Sequence, residues 1–309
     1  MAEVPQVYLN CAVYLYGNEF EASSGKAGGG TAFVIQIPLK EEGWFQCYVV
    51  TAAHIMKDDT VGEGPVVRIN ADDGGFQLIR TSHESWFIGE KDDLAIMPAE
   101  FQSKGLNVGV IPVEAFLTKE MIEQHSIGPG NEVFVTGRFV HHEGKAKNTP
   151  TVRFGNISMM PGEPFKRPSP DEDLEEAFLV EFRSVGGYSG SPVFLCEPPF
   201  HLWDKARLLH LWSQSPRLLG IDLGHIHEHK RVLKKSNKGK YIEDPNEKYY
   251  EANTAMSIVV PAWRLMALLN RPDIVRLRTE EEEKIMSKQP RQTEEESSIA
   301  LDSSKTGLR

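Results

Sequence analysis

Gly186-Gly187-Tyr188-Ser189-Gly190-Ser191-Pro192 is the stretch on which the reading of this chain depends. A serine set among glycines, between two apolar strand-like runs, suggests a nucleophile held on a tight turn. A serine hydroxyl is protonated at neutral pH and needs a base, most often histidine. The histidine in turn needs a carboxylate to fix its tautomer and stabilise the imidazolium that forms. Both partners lie upstream. Thr51-Ala52-Ala53-His54 closes a strand-like run from Gln46 to Val50, and Asp93-Leu94-Ala95-Ile96 opens another. The chain order is therefore His54, Asp93, Ser189. It differs from the Asp-His-Ser and Ser-acid-His orders that carry the same constellation on other folds.

Each role follows from the chemistry. Ser189 attacks a carbonyl while His54 takes its proton, and Asp93 orients His54. The carbonyl oxygen gains negative charge and needs preorganised N–H donors, for which Gly187 and Ser189 stand in place. Asp92 is an alternative acid. On an extended backbone it points away from Asp93, so only one of the two can face His54. The choice of Asp93, directly before Leu94-Ala95, is what the family resemblance given below implies. An isolated serine in a glycine-rich turn, or an isolated histidine at a strand end, would mean little. The three together, each in its own motif, carry the reading.

The chain resembles the trypsin-like serine proteases of the chymotrypsin fold, closer to the compact bacterial branch. Gly30-Thr31-Ala32-Phe33-Val34-Ile35 resembles the early glycine-led strand, Tyr48 to His54 the histidine motif and Asp93 to Ile96 the acid motif. Gly187 to Pro192 resembles the nucleophile motif, Leu218 to Gly224 the strand lining the substrate pocket, and Ser257 to Pro261 the closing strand. The landmarks cover roughly residues 7–270. The resemblance implies two six-stranded antiparallel β-barrels with a short C-terminal helix, and a serine endopeptidase acting through an acyl-enzyme. Tyr188 stands where activated zymogens carry an aspartate, which implies that the zymogen switch is missing. Ser191 resembles the variant found in glutamyl endopeptidases and breaks the G-x-S-x-G elbow of lipases. Ile55 stands where secreted members have a disulfide cysteine.

Composition sets the bounds. The 309 residues are 40% hydrophobic and 25% charged, ordinary values for a globular chain. A net charge of −10 argues against a nucleic-acid partner, and no apolar stretch is long enough to span a membrane. Glu3 and the lack of an early basic residue make Met1 to Val13 a poor signal peptide. Three cysteines (Cys11, Cys47, Cys196) are too few and too odd in number for a disulfide framework. They read as free thiols in a reducing compartment, and the cytoplasm is the expectation. No cofactor is expected.

Short runs rich in Val, Ile, Phe and Tyr between turn signals predict an all-β body. The expected division is an N-terminal barrel over 1–110, carrying His54 and Asp93, and a C-terminal barrel over 111–275, carrying Ser189. Insertions fall near 197–217, read as a flap rich in leucine and tryptophan, and 225–252, read as a polar surface loop. The clear helix is Ala262–Asn270. Residues 276–309, with Glu280 to Glu283 and Glu294 to Glu296, are expected to be a disordered acidic tail.

Specificity is less constrained. Arg183 falls near the family's pocket base and would favour acidic side chains, Asp222 on the pocket wall would favour basic ones, and Gly224 lies on the same wall. His225, His227 and His229 alternate, which suits a metal cluster, but without a fourth ligand they read as solvated and no metal is expected. Gly28-Gly29-Gly30 lacks the Gly-Lys-Ser/Thr of a phosphate loop. The partner is thus a polypeptide substrate, with oligomeric state left open. Two other functions remain: a silent pseudoprotease that binds peptide, and a serine esterase.

Overall fold

In a computed structural model of the chain, the described residues are 4–25, 29–57, 61–100, 105–140, 142, 144–162, 165–166, 174–182, 186–196, 216–235, 241–243 and 248–288. Strands rich in β-branched and aromatic residues alternate with turns, as the sequence pattern predicts. The first lobe contains α1 (Gln6–Asn10), β1 (Ala12–Tyr16), α2 (Glu19–Ser24), β2 (Thr31–Pro38) and β3 (Phe45–Thr51). It continues through β4 (Val66–Asn70), β5 (Phe76–Arg80), β6 (Phe87–Ile88), β7 (Ala95–Ala99) and β8 (Ile111–Pro112). Its strands form one eight-stranded sheet in the order β5-β4-β1-β2-β3-β7-β6, with β8 alongside β2. This is a half-barrel whose pairing stays open among the described residues.

After α3 (Lys119–His125), the second lobe contains β9 (Glu132–Gly137), β10 (Thr151–Met159), β11 (Phe165–Lys166), β12 (Leu174–Glu175) and β13 (Phe178–Glu181). It is completed by β14 (Pro192–Leu195), β15 (Arg217–Arg231), β16 (Leu233–Lys235), β17 (Tyr241–Glu243) and β18 (Tyr249–Pro261). Six of these close into a barrel, β10-β13-β18-β15-β14-β9, while β11-β12 and β16-β17 are two-stranded pairs. The architecture is the all-β, two-lobed plan that the resemblance implies, with one open and mostly antiparallel lobe, one closed antiparallel barrel, and helices at the end.

The barrel interior is filled by alternate residues of each strand, as the two-residue period demands. Val133, Val135, Phe178, Val180, Val193, Leu219 and Val259 share one core, with Trp263 packed against it. Trp263 belongs to α4 (Ala262–Leu269), and its ring meets Phe178 edge-on at 5.6 Å. The lobes form one compact unit to Leu268, and residues 269–309 form a second.

The second unit is partly helical where the sequence reading expects disorder: α5 spans Pro272–Lys288, and residues 289–309 lie outside the described set. Pro272 starts the helix where its missing N–H costs nothing, and Asp273 favours the same end. Arg276–Glu280 and Lys284–Glu281 pairs then offset the crowding of glutamates. The reading of His225 to Glu251 as a loop is also corrected. The described ends of that stretch are strand, with β15 and β18 paired as far as Arg231↔Tyr249. Its polar composition masked a two-residue alternation that suits a strand solvated on both faces. The leucine- and tryptophan-rich insertion lies outside the described residues.

Phe178→Ala tests the barrel core. The ring is fully buried, and its loss is expected to cost about 3–5 kcal/mol, read as a lower urea midpoint with unchanged slope.

Candidate active site

Strand register brings histidine and acid to one rim. β3 and β7 are antiparallel neighbours, and Thr51 lies opposite Ala95. Residues just after β3 and just before β7 therefore meet at the same end of the sheet. His54 sits there on a 3-10 turn, Ala53–Lys57. Its Nδ1 lies 2.6 Å from Asp93 Oδ2, and its backbone N–H donates to Asp93 Oδ1, also at 2.6 Å. A third bond runs from the Ala53 N–H to the Asp93 carbonyl. The Asp93 side chain is 8% exposed and that of His54 is 39%, so the carboxylate is sealed while the ring keeps an open side.

Asp92 points the other way. Arg264 of α4 grips it through two bonds of 2.8 Å, Nε to Oδ1 and Nη2 to Oδ2. The loop thus has one carboxylate anchored to the C-terminal helix and its neighbour held on the histidine. That division is the alternation expected of an extended backbone.

The turn that carries Ser189, the candidate nucleophile, leads into β14. Tyr188 is buried, its hydroxyl bonds the Thr151 hydroxyl, and Arg153 lies over its ring at 5.3 Å. It fastens the turn to the second barrel. Gly187 has φ +97° and Gly190 φ +84°, left-handed values that suit glycine. A Cβ on Gly190 would lie 2.1 Å from the Thr31 carbonyl oxygen and 3.1 Å from the Ala52 nitrogen. The turn is therefore pressed against the backbone that leads into His54. Among the described residues, the N–H groups of Gly187 and Ser189 have no acceptor. The Ser189 hydroxyl donates to the Leu223 carbonyl at 3.3 Å, and no hydrogen bond joins it to His54 among the described residues.

Thr31 ties these parts together, and the sequence reading gave it no role. It is fully buried at the start of β2. Its N–H donates to the Ser189 carbonyl (2.9 Å) and its hydroxyl to the Gly187 carbonyl (2.7 Å). The same hydroxyl accepts the Arg138 N–H at 2.9 Å, and the Thr31 carbonyl accepts the Thr51 hydroxyl at 2.7 Å. Its position directly after Gly30 at a strand start is the only sequence signal it carries.

The pocket candidates separate. Arg183 lies outside the described residues. Asp222 is fully buried, and its Oδ1 accepts the Ser257 hydroxyl and the Gly224 N–H. Its carboxylate is thus engaged within the β15–β18 pair. Gly224 lies beside Ser189, where a Cβ would be 3.4 Å from Ser189 Oγ. The rings of His225 and His227 stack at 4.1 Å, and Glu251 pairs with His227 at 2.9 Å. No metal-binding cluster of three or more ligands occurs among the described residues. All three cysteines are free, and burial pushes the thiols of Cys11 and Cys47 up, so neither competes as a nucleophile. No helix among the described residues is long and apolar enough to cross a membrane.

The chain is similar, at low identity, to solved structures of proteases. Solved structures similar to it include the MamO protease domain from Magnetospirillum magneticum in its apo form. That likeness has TM-score 0.42 and 16% identity over 86% of this chain and 98% of that one. The Rv3671c protease from M. tuberculosis is similar in its active form at TM-score 0.44 and 15% identity, covering 85% of this chain and 81% of that one. Its inactive form gives TM-score 0.43 and 14% identity over 85% and 89%. No family model matches the chain, and no curated protein matches its sequence.

Two predictions follow from these contacts. Thr31→Val deletes a hydroxyl with two buried partners. It is expected to lower stability by about 2–4 kcal/mol, measured by urea unfolding, whereas Thr31→Ser is expected to recover most of the loss. Burial and the adjacent His227 hold the His225 pKa below 6.5. The unfolded chain therefore takes up this proton at a higher pH than the folded one, and stability falls as pH drops from about 7 towards 5. His225→Gln is expected to flatten that slope in melts recorded across the range.

Proposed function

We propose that the chain is a serine endopeptidase in which Ser189, His54 and Asp93 act as one unit. The observation that carries this is the double attachment of His54 to Asp93, on the backbone turn against which the Ser189–Gly190 turn is packed. A histidine fixed through Nδ1 directs its other nitrogen outward as a base, the geometry that activation of a serine requires.

In the reaction, Ser189 rotates off the Leu223 carbonyl, gives its proton to His54 Nε2 and attacks the peptide carbonyl. Asp93 stabilises the imidazolium. The N–H groups of Gly187 and Ser189 receive the oxyanion, and the fixed φ of Gly187 keeps its N–H available without reorganisation. His54 then protonates the leaving amine, and water releases the acyl group by the same steps in reverse. Free thiols suit the cytoplasmic setting expected from the sequence.

One observation favours a second reading, a silent site kept for peptide binding: the serine hydroxyl rests on Leu223 rather than on His54. Covalent labelling decides between them. A fluorophosphonate probe is expected to add once to the chain by intact mass, at Ser189, and not to Ser189→Ala. Asp93→Asn is expected to slow labelling by about 10³–10⁴-fold, and Asp92→Asn by far less, because Asp92 serves Arg264. Lack of labelling of a folded parent chain would remove the peptidase reading. A rate equal in Asp93→Asn would remove the acid. Comparing ester with peptide turnover separates an esterase.

A further inference from the structure

The loop that carries Asp93 lies at the edge of the open lobe. It joins β6, a two-residue strand at the end of the sheet, to β7, and the two pair through Phe87↔Ile96 and Ile88↔Ala95. Within the loop the Gly89 N–H donates to the Leu94 carbonyl at 2.8 Å, and the Leu94 N–H to the Asp92 carbonyl at 2.7 Å. A Cβ on Gly89 would lie 2.7 Å from that Asp92 carbonyl oxygen, so the loop is drawn tight around Asp92 and Asp93. An edge loop of this kind has sheet on one side alone, and the aim of Asp93 needs a hold from the other.

Arg264 supplies it from 172 positions along the chain. Its guanidinium meets Asp92 as a fork, with both bonds at 2.8 Å. The Asp92 side chain is 12% exposed and that of Arg264 29%, so water screens this pair less than a surface contact. The helix behind it is firmly seated. Ala262 and Leu265 of α4 are fully buried, Trp263 packs on the barrel core, and the Trp263 indole N–H donates to Glu176 at 3.3 Å. The first lobe holds a second forked pair, Arg80 on Glu19, with side chains 77% and 42% exposed. That pair has the same chemistry without the burial, and it serves as a control.

We propose that Arg264 is a positioning residue, which holds Asp92 so that Asp93 stays aimed at His54. Resting on the peptidase reading, this adds a member to the same site from the far end of the chain. Asp92 and Asp93 share one peptide bond, so a shift of the Asp92 backbone carries the Asp93 carboxylate with it. The two bonds of 2.6 Å from Asp93 to His54 leave little room for such a shift. A guanidinium fork fixes direction as well as distance, which a single ammonium does not. Without it a second, nearly buried carboxylate would stand uncompensated beside Asp93, and the loop would move to give Asp92 water.

The test uses the full chain in five forms besides the parent. Arg264→Gln and Asp92→Asn break the fork from either side, and the double variant breaks both. Arg264→Lys keeps the charge without the fork, and Arg80→Gln breaks the exposed control pair. Two readouts are taken at matched fraction folded: the downfield proton resonance of His54 Nδ1–H on Asp93, and the rate of fluorophosphonate labelling. Each single break of the Asp92–Arg264 fork is expected to shift the resonance upfield and to slow labelling about tenfold. The double variant is expected to be no slower than either, because both remove one interaction. Arg264→Lys is expected to recover part of the rate, and Arg80→Gln to match the parent in both readouts. A folded Asp92→Asn chain with the parent's resonance and rate overturns the proposal. So do additive losses in the double variant, or an equal loss in Arg80→Gln. The resonance reads Arg264 apart from Ser189. A parent that does not label, but whose resonance needs Arg264, keeps the positioning role and removes the peptidase. Labelling indifferent to Arg264 removes the positioning role alone.

Discussion

Thr31 is the constraint on which the candidate site depends. One buried threonine joins the strand that leads to His54, the carbonyls of Gly187 and Ser189, and the Arg138 backbone of the second lobe. Its four bonds hold two lobes in register at the point where chemistry is proposed. A hydroxyl is suited to the task because it donates and accepts at once, and a buried pair of groups left without it would pay a desolvation cost. Glycine at 190 completes the arrangement by letting the turn approach the Thr31 carbonyl closely.

The acid loop shows a similar economy. Two consecutive aspartates serve opposite sides, Asp93 on the histidine and Asp92 on Arg264. Arg264 lies on the helix that Trp263 packs against Phe178. The core of the second barrel is thus coupled mechanically to the residue next to the candidate orienting carboxylate. The coupling runs through one bidentate, partly buried ion pair, a geometry far more specific than a surface contact.

Much of this was legible in the sequence, for identifiable reasons. The closed barrel follows from alternating apolar runs; the two-residue period says that Asp92 and Asp93 face opposite ways, and the choice of Asp93 came from the family resemblance. Ser189, Gly187 and His54 stand out as candidates because the proposed chemistry needs particular residue types in fixed local settings. Thr31 does not, since the bonds of its hydroxyl reach residues more than a hundred positions away, and a threonine at a strand start looks like any other. The resting position of the Ser189 hydroxyl is equally invisible, being a matter of one side-chain torsion. The strand pairing of 225–231 with 249–257 is hard to tell from a loop in sequence because both faces of its outer part are polar. The helix over 272–288 was hidden by its glutamates, whose lysine and arginine partners lie three and four residues away.

The account holds that Ser189 leaves Leu223 and works with His54 against a bound carbonyl, and a peptide boronate soaked into crystals of the full chain tests this directly. The predicted result is boron bonded to Ser189 Oγ, the Leu223 contact broken, and a boronate oxygen received by the N–H groups of Gly187 and Ser189. A fully occupied peptide lying over the site, with Ser189 Oγ unmodified and still on the Leu223 carbonyl, would contradict it.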